Sequence, residues 1–398
     1  MKVLFIASLH HPEQLGAQPD TPGTANQLPF EGTVDLEPLF PVSQEHHFWV
    51  RALRKLGHTC DVFWRSASAW PWASSRHVRM TERLTPGRAV AGALAAVPAL
   101  DPDRRLRNRR LLRQAAVFRP DVLVLVGNNS VIFPATLARL KRDHHAMLVY
   151  ACGDSPLVFS HRIERRAAAL YDLVVANDAG HAEEWATLGA RRVHVLPTCA
   201  IDPDVHRPYE LSSDERARYG CDVAFVGTLV PHHLYSQRVA ALEALRDFDL
   251  AIWSVHEVPP SLRRFHRGPL LGIEMLRALS AAKIVPNPYG DTMRDGANMR
   301  LFEACGAGAL QLVDDRPGVR RWFAAGEHLV TYRDAAHLDS LVTYYLQHDA
   351  DRARIARAGM AHVRTHHTYE LRMRALMERV ADVGRADGAL RARPPDAA

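Results

Sequence analysis

Short apolar, β-branched runs alternate with helically spaced segments along this chain, and the alternation occurs twice. The first series is Val3 to Ala7, Thr59 to Trp64, Asp121 to Val126, Met147 to Ala151, Leu173 to Ala176 and Val193 to Pro197. Helix-like patterns lie between these runs, which predicts parallel strands joined by crossovers. From Ile201 to Gly220 the chain turns polar, carries Pro203 and Pro208, and reads as a linker with no strong strand. The series then restarts with Asp222 to Val226, Leu250 to Trp253, Ala282 to Val285, Ala309 to Val313 and His328 to Tyr332. Helical patterns follow over Ala335 to Gln347, Ala350 to Arg364 and Tyr369 to Val383. The expectation is an α/β chain of two Rossmann-like, doubly wound halves. Ligands of such sheets sit beyond the carboxyl ends of the strands, so two facing halves would share a cleft.

Composition narrows the partners. A length of 398 residues exceeds one ordinary core, and 47% hydrophobic with 24% charged residues is an ordinary globular balance. The net charge of +6 allows an anionic partner, but only Lys2, Lys55, Lys141 and Lys283 are lysines, as a GC-rich genome would also produce. The densest basic cluster, Arg104, Arg105, Arg107, Arg109, Arg110 and Arg113, falls in a helical pattern without interleaved aromatics, so nucleic acid is not expected. A solvated face is the expectation there, with a peripheral contact to anionic membrane lipid as the alternative. Cys60, Cys152, Cys199, Cys221 and Cys305 are odd in number and scattered, which suits a reducing cytoplasm better than disulfides or zinc. The opening MKVLFIASLHHP is too short an apolar run for a signal peptide or a membrane span, and cytoplasmic placement is expected. Adjacent histidines point apart, so pairs such as His232-His233 do not predict a metal site.

Candidate chemistry concentrates between Asn298 and Arg321, NMRLFEACGAGALQLVDDRPGVRR. Glu303 sits within a short amphipathic helix that ends at Gly306 and Gly308, ahead of a buried strand. A carboxylate there suits the paired hydroxyls of a ribose; an ordinary solvated helix residue is the alternative. A departing nucleoside diphosphate gathers negative charge, which guanidinium groups or exposed N–H groups can stabilise without a metal. Arg238, Arg300 and the backbone from Gly296 to Asn298 are the candidates for that role. In the first half, the long polar loop after Ala7 contains His10 and His11, and Asp154 follows a strand run where it could act as a base. Asp154 as a simple turn cap is the alternative.

Four segments in order carry a family resemblance: FVGT from Phe225 to Thr228, Asn298 to Gly308, YRD from Tyr332 to Asp334, and HTYELRM from His367 to Met373. Together they resemble the spore maturation protein CgeB-like glycosyltransferases, within the GT-B enzymes whose carboxyl domain is of the family 4 type. The resemblance runs from about Cys221 to Met373; before Ile201 it rests on the first strand and its loop, the turn from Gly153 to Pro156, and the strand end from Val174 to Asp178. It implies a GT-B fold with an acceptor domain over residues 1–205, a donor domain over 206–368, a helix over 369–383 crossing back, and a frayed tail over 384–398. It implies a metal-independent, retaining, hexosyltransferase-like enzyme with no cofactor. The donor would be a nucleotide-diphosphate sugar of UDP or dTDP type, and the acceptor an unidentified hydroxyl on a polysaccharide, natural product or lipid.

Related enzymes line the donor site with a carboxylate pair spaced E-x7-E. Glu303 matches the second position, and the shorter Asp295 stands at the first. Related enzymes also place a Lys after the FVGT-type strand, whereas TLVPHHLYSQR has none. The resemblance therefore implies Asp154, Asp295 and His10 as catalytic candidates, and Gly227, Thr228, Arg238, Asn298, Arg300 and Glu303 as donor-binding ones. Rival readings are a sugar-nucleotide epimerase of the same shape and a non-catalytic sugar-nucleotide-binding protein. A nicotinamide oxidoreductase ranks last, because SLHHPE rather than G-x-G-x-x-G follows the first strand.

Overall fold

A computed structural model describes residues 1–8, 44–65, 101–127 and 129–386. The first series of apolar runs forms β1 (Lys2–Ala7), β2 (Thr59–Trp64), β3 (Val122–Val126), β4 (Met147–Cys152), β5 (Leu173–Ala176) and β6 (Val193–Val195), ordered β2-β1-β3-β4-β5-β6. The second forms β7 (Cys221–Val226), β8 (Leu250–Trp253), β9 (Ala282–Asn287), β10 (Leu310–Asp314) and β11 (Val330–Tyr332), ordered β11-β10-β9-β7-β8. Neighbouring strands are parallel throughout both sheets. Crossover helices cover both faces, which is why β1 is apolar at successive positions: Val3, Phe5 and Ala7 enter one core cluster, and Leu4 and Ile6 enter the other. Strand order reverses between β1 and β3 and between β7 and β9, and each reversal opens a crevice at the carboxyl edge.

Two local expectations need correction. The segment read as a linker contains the helix Ser213–Tyr219, started by a capping box in which Ser212 and Glu215 each accept the other's backbone N–H. The last helix runs Tyr369–Ala386, past the expected boundary, with Gly384 still buried. Residues 387–398 and the loop with His10 and His11 lie outside the described residues.

The chain passes between the two halves twice, and the two passages are tied together. Ile201 donates its N–H to the His367 carbonyl at 2.9 Å, and Tyr369 donates to the Ile201 carbonyl at 2.8 Å. The last helix then buries Tyr369, Met373, Leu376, Met377, Val380 and Val383 in the same cluster as Val3 and Phe5. That spacing is one apolar stripe of a helix. At the second passage His367 is buried against Phe302 and Phe323, with Arg372 donating to its Nδ1 at 2.9 Å. Burial first, and the Arg372 charge second, push its imidazole down to about 3.

A second seam lies opposite. Asp178 follows β5 and is fully buried. Its Oδ1 accepts from Gly180 at 2.7 Å, and its Oδ2 accepts from Arg294, Asp295 and Gly296 at 2.9, 2.8 and 2.7 Å. Asp295 reciprocates, its Oδ1 accepting from Ala179 at 3.1 Å. The approach requires glycine: a Cβ on Gly296 would lie 2.8 Å from the Asn177 carbonyl oxygen, and one on Gly318 only 1.5 Å from that of Asp295. Burial by itself raises the Asp178 carboxyl. The N–H of Asp295, the nearby His181 and the N–H groups of Gly180 and Arg294 outweigh it and hold the group below the usual carboxylate range.

These seams give two pH dependences of stability. His367 has a folded pKa below its ordinary 6.5, so its contribution is complete above that value and is lost as pH falls toward 3. Unfolding free energies of wild type and His367→Gln should therefore converge as pH is lowered through this range; parallel curves would refute the assignment. The depressed Asp178 contributes above its ordinary 3.8, and that contribution is lost as pH falls below it. Asp178→Asn should cost at least about 2 kcal/mol near neutral pH, measured by chemical unfolding, and should flatten the acid limb. An unchanged unfolding midpoint would show that the seam does not depend on this charge.

Candidate functional site

The crevice between β7 and β9 is bridged by one guanidinium. Arg238 donates from Nε to the Pro288 carbonyl, after β9, at 2.9 Å, and from Nη1 to the Thr228 carbonyl, after β7, at 2.7 Å. Its helix, His232–Glu243, is broken at Tyr235, whose φ of −139° and ψ of 24° are non-helical. The Arg238 guanidinium lies over the Tyr235 ring at 4.8 Å and the Phe225 ring at 5.7 Å. Burial lowers the Arg238 pKa; Tyr235, Asp314 and Tyr332 oppose this, and the charge of Arg300 reinforces it. Two guanidinium groups therefore share the crevice. The Gly227 N–H donates to the Trp253 carbonyl at 3.0 Å and fixes the turn that carries Thr228.

Arg300 comes from the helix Met299–Gly306. Asn298 caps that helix, its Oδ1 accepting from the Leu301 N–H at 2.9 Å, and pairs amide to amide with Asn287 at the end of β9. This pairing orients the first turn. Arg300 Nη1 then reaches Glu303 Oε2 at 2.8 Å, and Nη2 reaches the Val226 carbonyl at 3.3 Å, with Met275 Sδ at 3.2 Å from both nitrogens.

Glu303 is buried, and its Oε1 lies 4.0 Å from Nε2 of the fully buried His206. His206 Nδ1 meets the Asp202 N–H at 3.0 Å and the Asp202 carbonyl at 3.2 Å; acceptance of the nearer N–H puts the ring proton on Nε2, facing Glu303. Burial lowers the His206 pKa against the opposing pull of Glu303, so the ring is neutral at pH 7. Its Nε2 has no hydrogen-bond partner among the described residues. His206 and Asp202 were invisible as site residues because they belong to the polar stretch read as a linker and meet Glu303 only through the fold.

Arg238, Arg300, Asn298 and Glu303 thus gather around the turn at Gly227 and Thr228. Asp154 approaches from the other half. It is exposed after β4, and its charge helps raise the pKa of Tyr235, behind the larger effect of burial and against that of Arg238. Asp295 does not join Glu303: its carboxylate meets the Ala179 N–H and, at 3.0 Å, Arg321. Of the backbone from Gly296 to Asn298 expected to face an anion, the Gly296 N–H is already engaged. It holds the Asp178 carboxylate together with the N–H groups of Arg294 and Asp295, because a buried carboxylate without donors is strongly unfavourable.

Comparison with known proteins follows the same geometry. Residues 232–378 match the family model described as glycosyl transferase-like. No curated protein matches the chain in sequence. Among solved structures, sucrose-phosphate synthase from Thermosynechococcus elongatus is similar with a TM-score of 0.60 and 12% identity, over 97% of this chain and 100% of that one. HepE of Anabaena, in complex with UDP and glucose, gives 0.57 and 13% over 96% and 100%. BGT of phage T4, in complex with its UDP-glucose substrate, gives 0.56 and 12% over 96% and 100%. At such identities the likeness speaks for the fold, and with two parallel, doubly wound sheets facing one another the chain has the GT-B fold.

Proposed function

We propose that this protein is a glycosyltransferase of the CgeB-like kind that moves a hexose from a nucleotide-diphosphate sugar to an acceptor hydroxyl, without a metal and with retention of configuration. The observation that carries the reading is the grouping of two guanidiniums, Arg238 and Arg300, with the buried carboxylate of Glu303 at the β7–β9 reversal. A nucleoside diphosphate presents this pair of demands, two phosphates and a ribose diol, in one ligand. The UDP and UDP-glucose in the HepE and BGT structures support a uridine donor, with dTDP as the near relative.

Donor binding would exchange partners. Arg300 turns from Glu303 to the diphosphate, and the freed carboxylate, steadied by His206 Nε2–H, accepts from the ribose hydroxyls. As the glycosidic bond breaks, Arg238 and Arg300 stabilise charge on the leaving phosphate oxygen. For retention the acceptor hydroxyl attacks from the face that the diphosphate leaves and passes its proton to the leaving phosphate oxygen, while Asp154, on the opposite wall, would stabilise the oxocarbenium-like charge at the sugar carbon. Asp295, engaged at the seam, supports the donor loop.

Thermal shift against UDP, dTDP, GDP, ADP, their sugar conjugates and NAD tests this reading. Ligand at about a hundred times its dissociation constant should add roughly 2.7 kcal/mol. Glu303→Ala should abolish the shift, and Arg238→Ala should lower kcat by about 10²–10³-fold, with a lower melting temperature because two carbonyls lose their donor. Conversion of a sugar nucleotide without any acceptor would replace this reading with an epimerase. A shift without turnover on any acceptor would leave a binding protein, and a shift with NAD alone would overturn the site.

A further inference from the structure

One flank of the amino-terminal half is built unlike the rest of the surface. The helix Pro102–Phe118 exposes Arg105, Arg109 and Arg113 at successive four-residue steps, with Val117 beyond them. Its first turn adjoins the short helix Arg162–Arg165: the charges of Arg104, Arg165 and Arg162 reinforce the lowering that burial imposes on His161. Arg162 and Arg166 are exposed there. The carboxylates of these two helices, Asp103 and Glu164, are both buried, so the exposed positions of the two helices carry one sign of charge.

Arg109, Arg113, Arg162 and Arg166 make no ion pair among the described residues. Some exposed helix arginines elsewhere are paired within a turn, as Arg354 with Asp351 and Arg374 with Glu370, whereas Arg357 and Arg364 are exposed without such a pair among the described residues. Apolar side chains accompany the unpaired charge. Of the six large hydrophobic residues exposed among the described residues, three lie on this flank: Val117 at 86%, Leu157 at 52% and Val158 at 48%. Leu157 and Val158 follow the turn that carries Asp154, so they stand at the rim of the cleft.

We propose that this flank docks on an anionic lipid bilayer, with the guanidiniums among the headgroups and Leu157 and Val158 at the acyl boundary. The combination is what an interface demands: unpaired cations meet a negative surface, and exposed aliphatic side chains leave water. Nucleic acid would want exposed aromatics for base stacking, whereas Phe118 and Phe159 are half-buried. Docking would present the Asp154 wall of the cleft to the membrane. The proposal is independent of the donor-site reading, because it rests on a different surface and is read by partitioning, not turnover.

The test is flotation of the full chain with vesicles of phosphatidylcholine alone, or of equal parts phosphatidylcholine and phosphatidylglycerol. The expected result is binding to the anionic vesicles only, weakened by salt. Arg109→Glu with Arg113→Glu should weaken partitioning by more than about 25-fold, since each cation near such a surface is worth roughly fivefold. Leu157→Ser with Val158→Ser should weaken it at unchanged salt dependence. Arg357→Glu with Arg364→Glu, on exposed arginines of the carboxyl-terminal half, should leave it within about twofold, which separates this flank from net charge. All variants should keep the wild-type melting temperature. Absence of binding to anionic vesicles, equal loss from the Arg357/Arg364 pair, or retention of duplex DNA in place of vesicles would overturn the proposal.

Discussion

A single buried carboxylate sets the relation between the two halves of this protein. Asp178 accepts four backbone N–H groups, one from its own helix and three from a loop more than a hundred residues further along the chain. A charge placed in a protein interior is stable only where donors replace its lost water, so the loop from Arg294 to Gly296 must come to it. Glycines at positions 296 and 318 remove the side chains that would hold the two backbones apart. The distance across the cleft, and with it the approach of Asp154 to Tyr235, follows from this contact.

The crevice between β7 and β9 shows the complementary arrangement. Where the seam surrounds an anion with dipoles, the crevice holds cations with the means of changing partner. Arg238 is anchored by two carbonyls and shielded by two rings, so it serves as a fixed charge. Arg300 shares itself between Glu303, Val226 and a thioether, contacts that the diphosphate of the proposed donor would replace with a bidentate guanidinium–phosphate pair. The neutral His206 beside Glu303 adds no third cation to the pocket.

Much of this was legible in the sequence, for identifiable reasons. Strands such as Val3 to Ala7 and Val122 to Val126 are buried on both faces, which leaves an unbroken apolar run that polar loops cannot mimic. Asn298, Arg300 and Glu303 sit on one helix, so their spacing could be read locally. Asp178, Asp202 and His206 could not be read that way, since each acquires its meaning from a partner brought in by the fold. The helix Ser213–Tyr219 was missed although Ser212 and Glu215 spelled its start, because its few apolar residues gave no periodicity to follow. The Gly296 N–H was recognised as an anion donor, but the anion it meets is the protein's own Asp178.

The paired passages at Ile201 and Thr368 also constrain how the halves can move. A single flexible connection would leave one body free to rotate about three axes relative to the other. Two connections laced by backbone hydrogen bonds remove most of that freedom and leave a torsion about the line they define, like pages about a spine. Any motion that admits substrates must then pivot there and part at Asp178, so the cleft has one coordinate of opening and the distance between its walls is a single number.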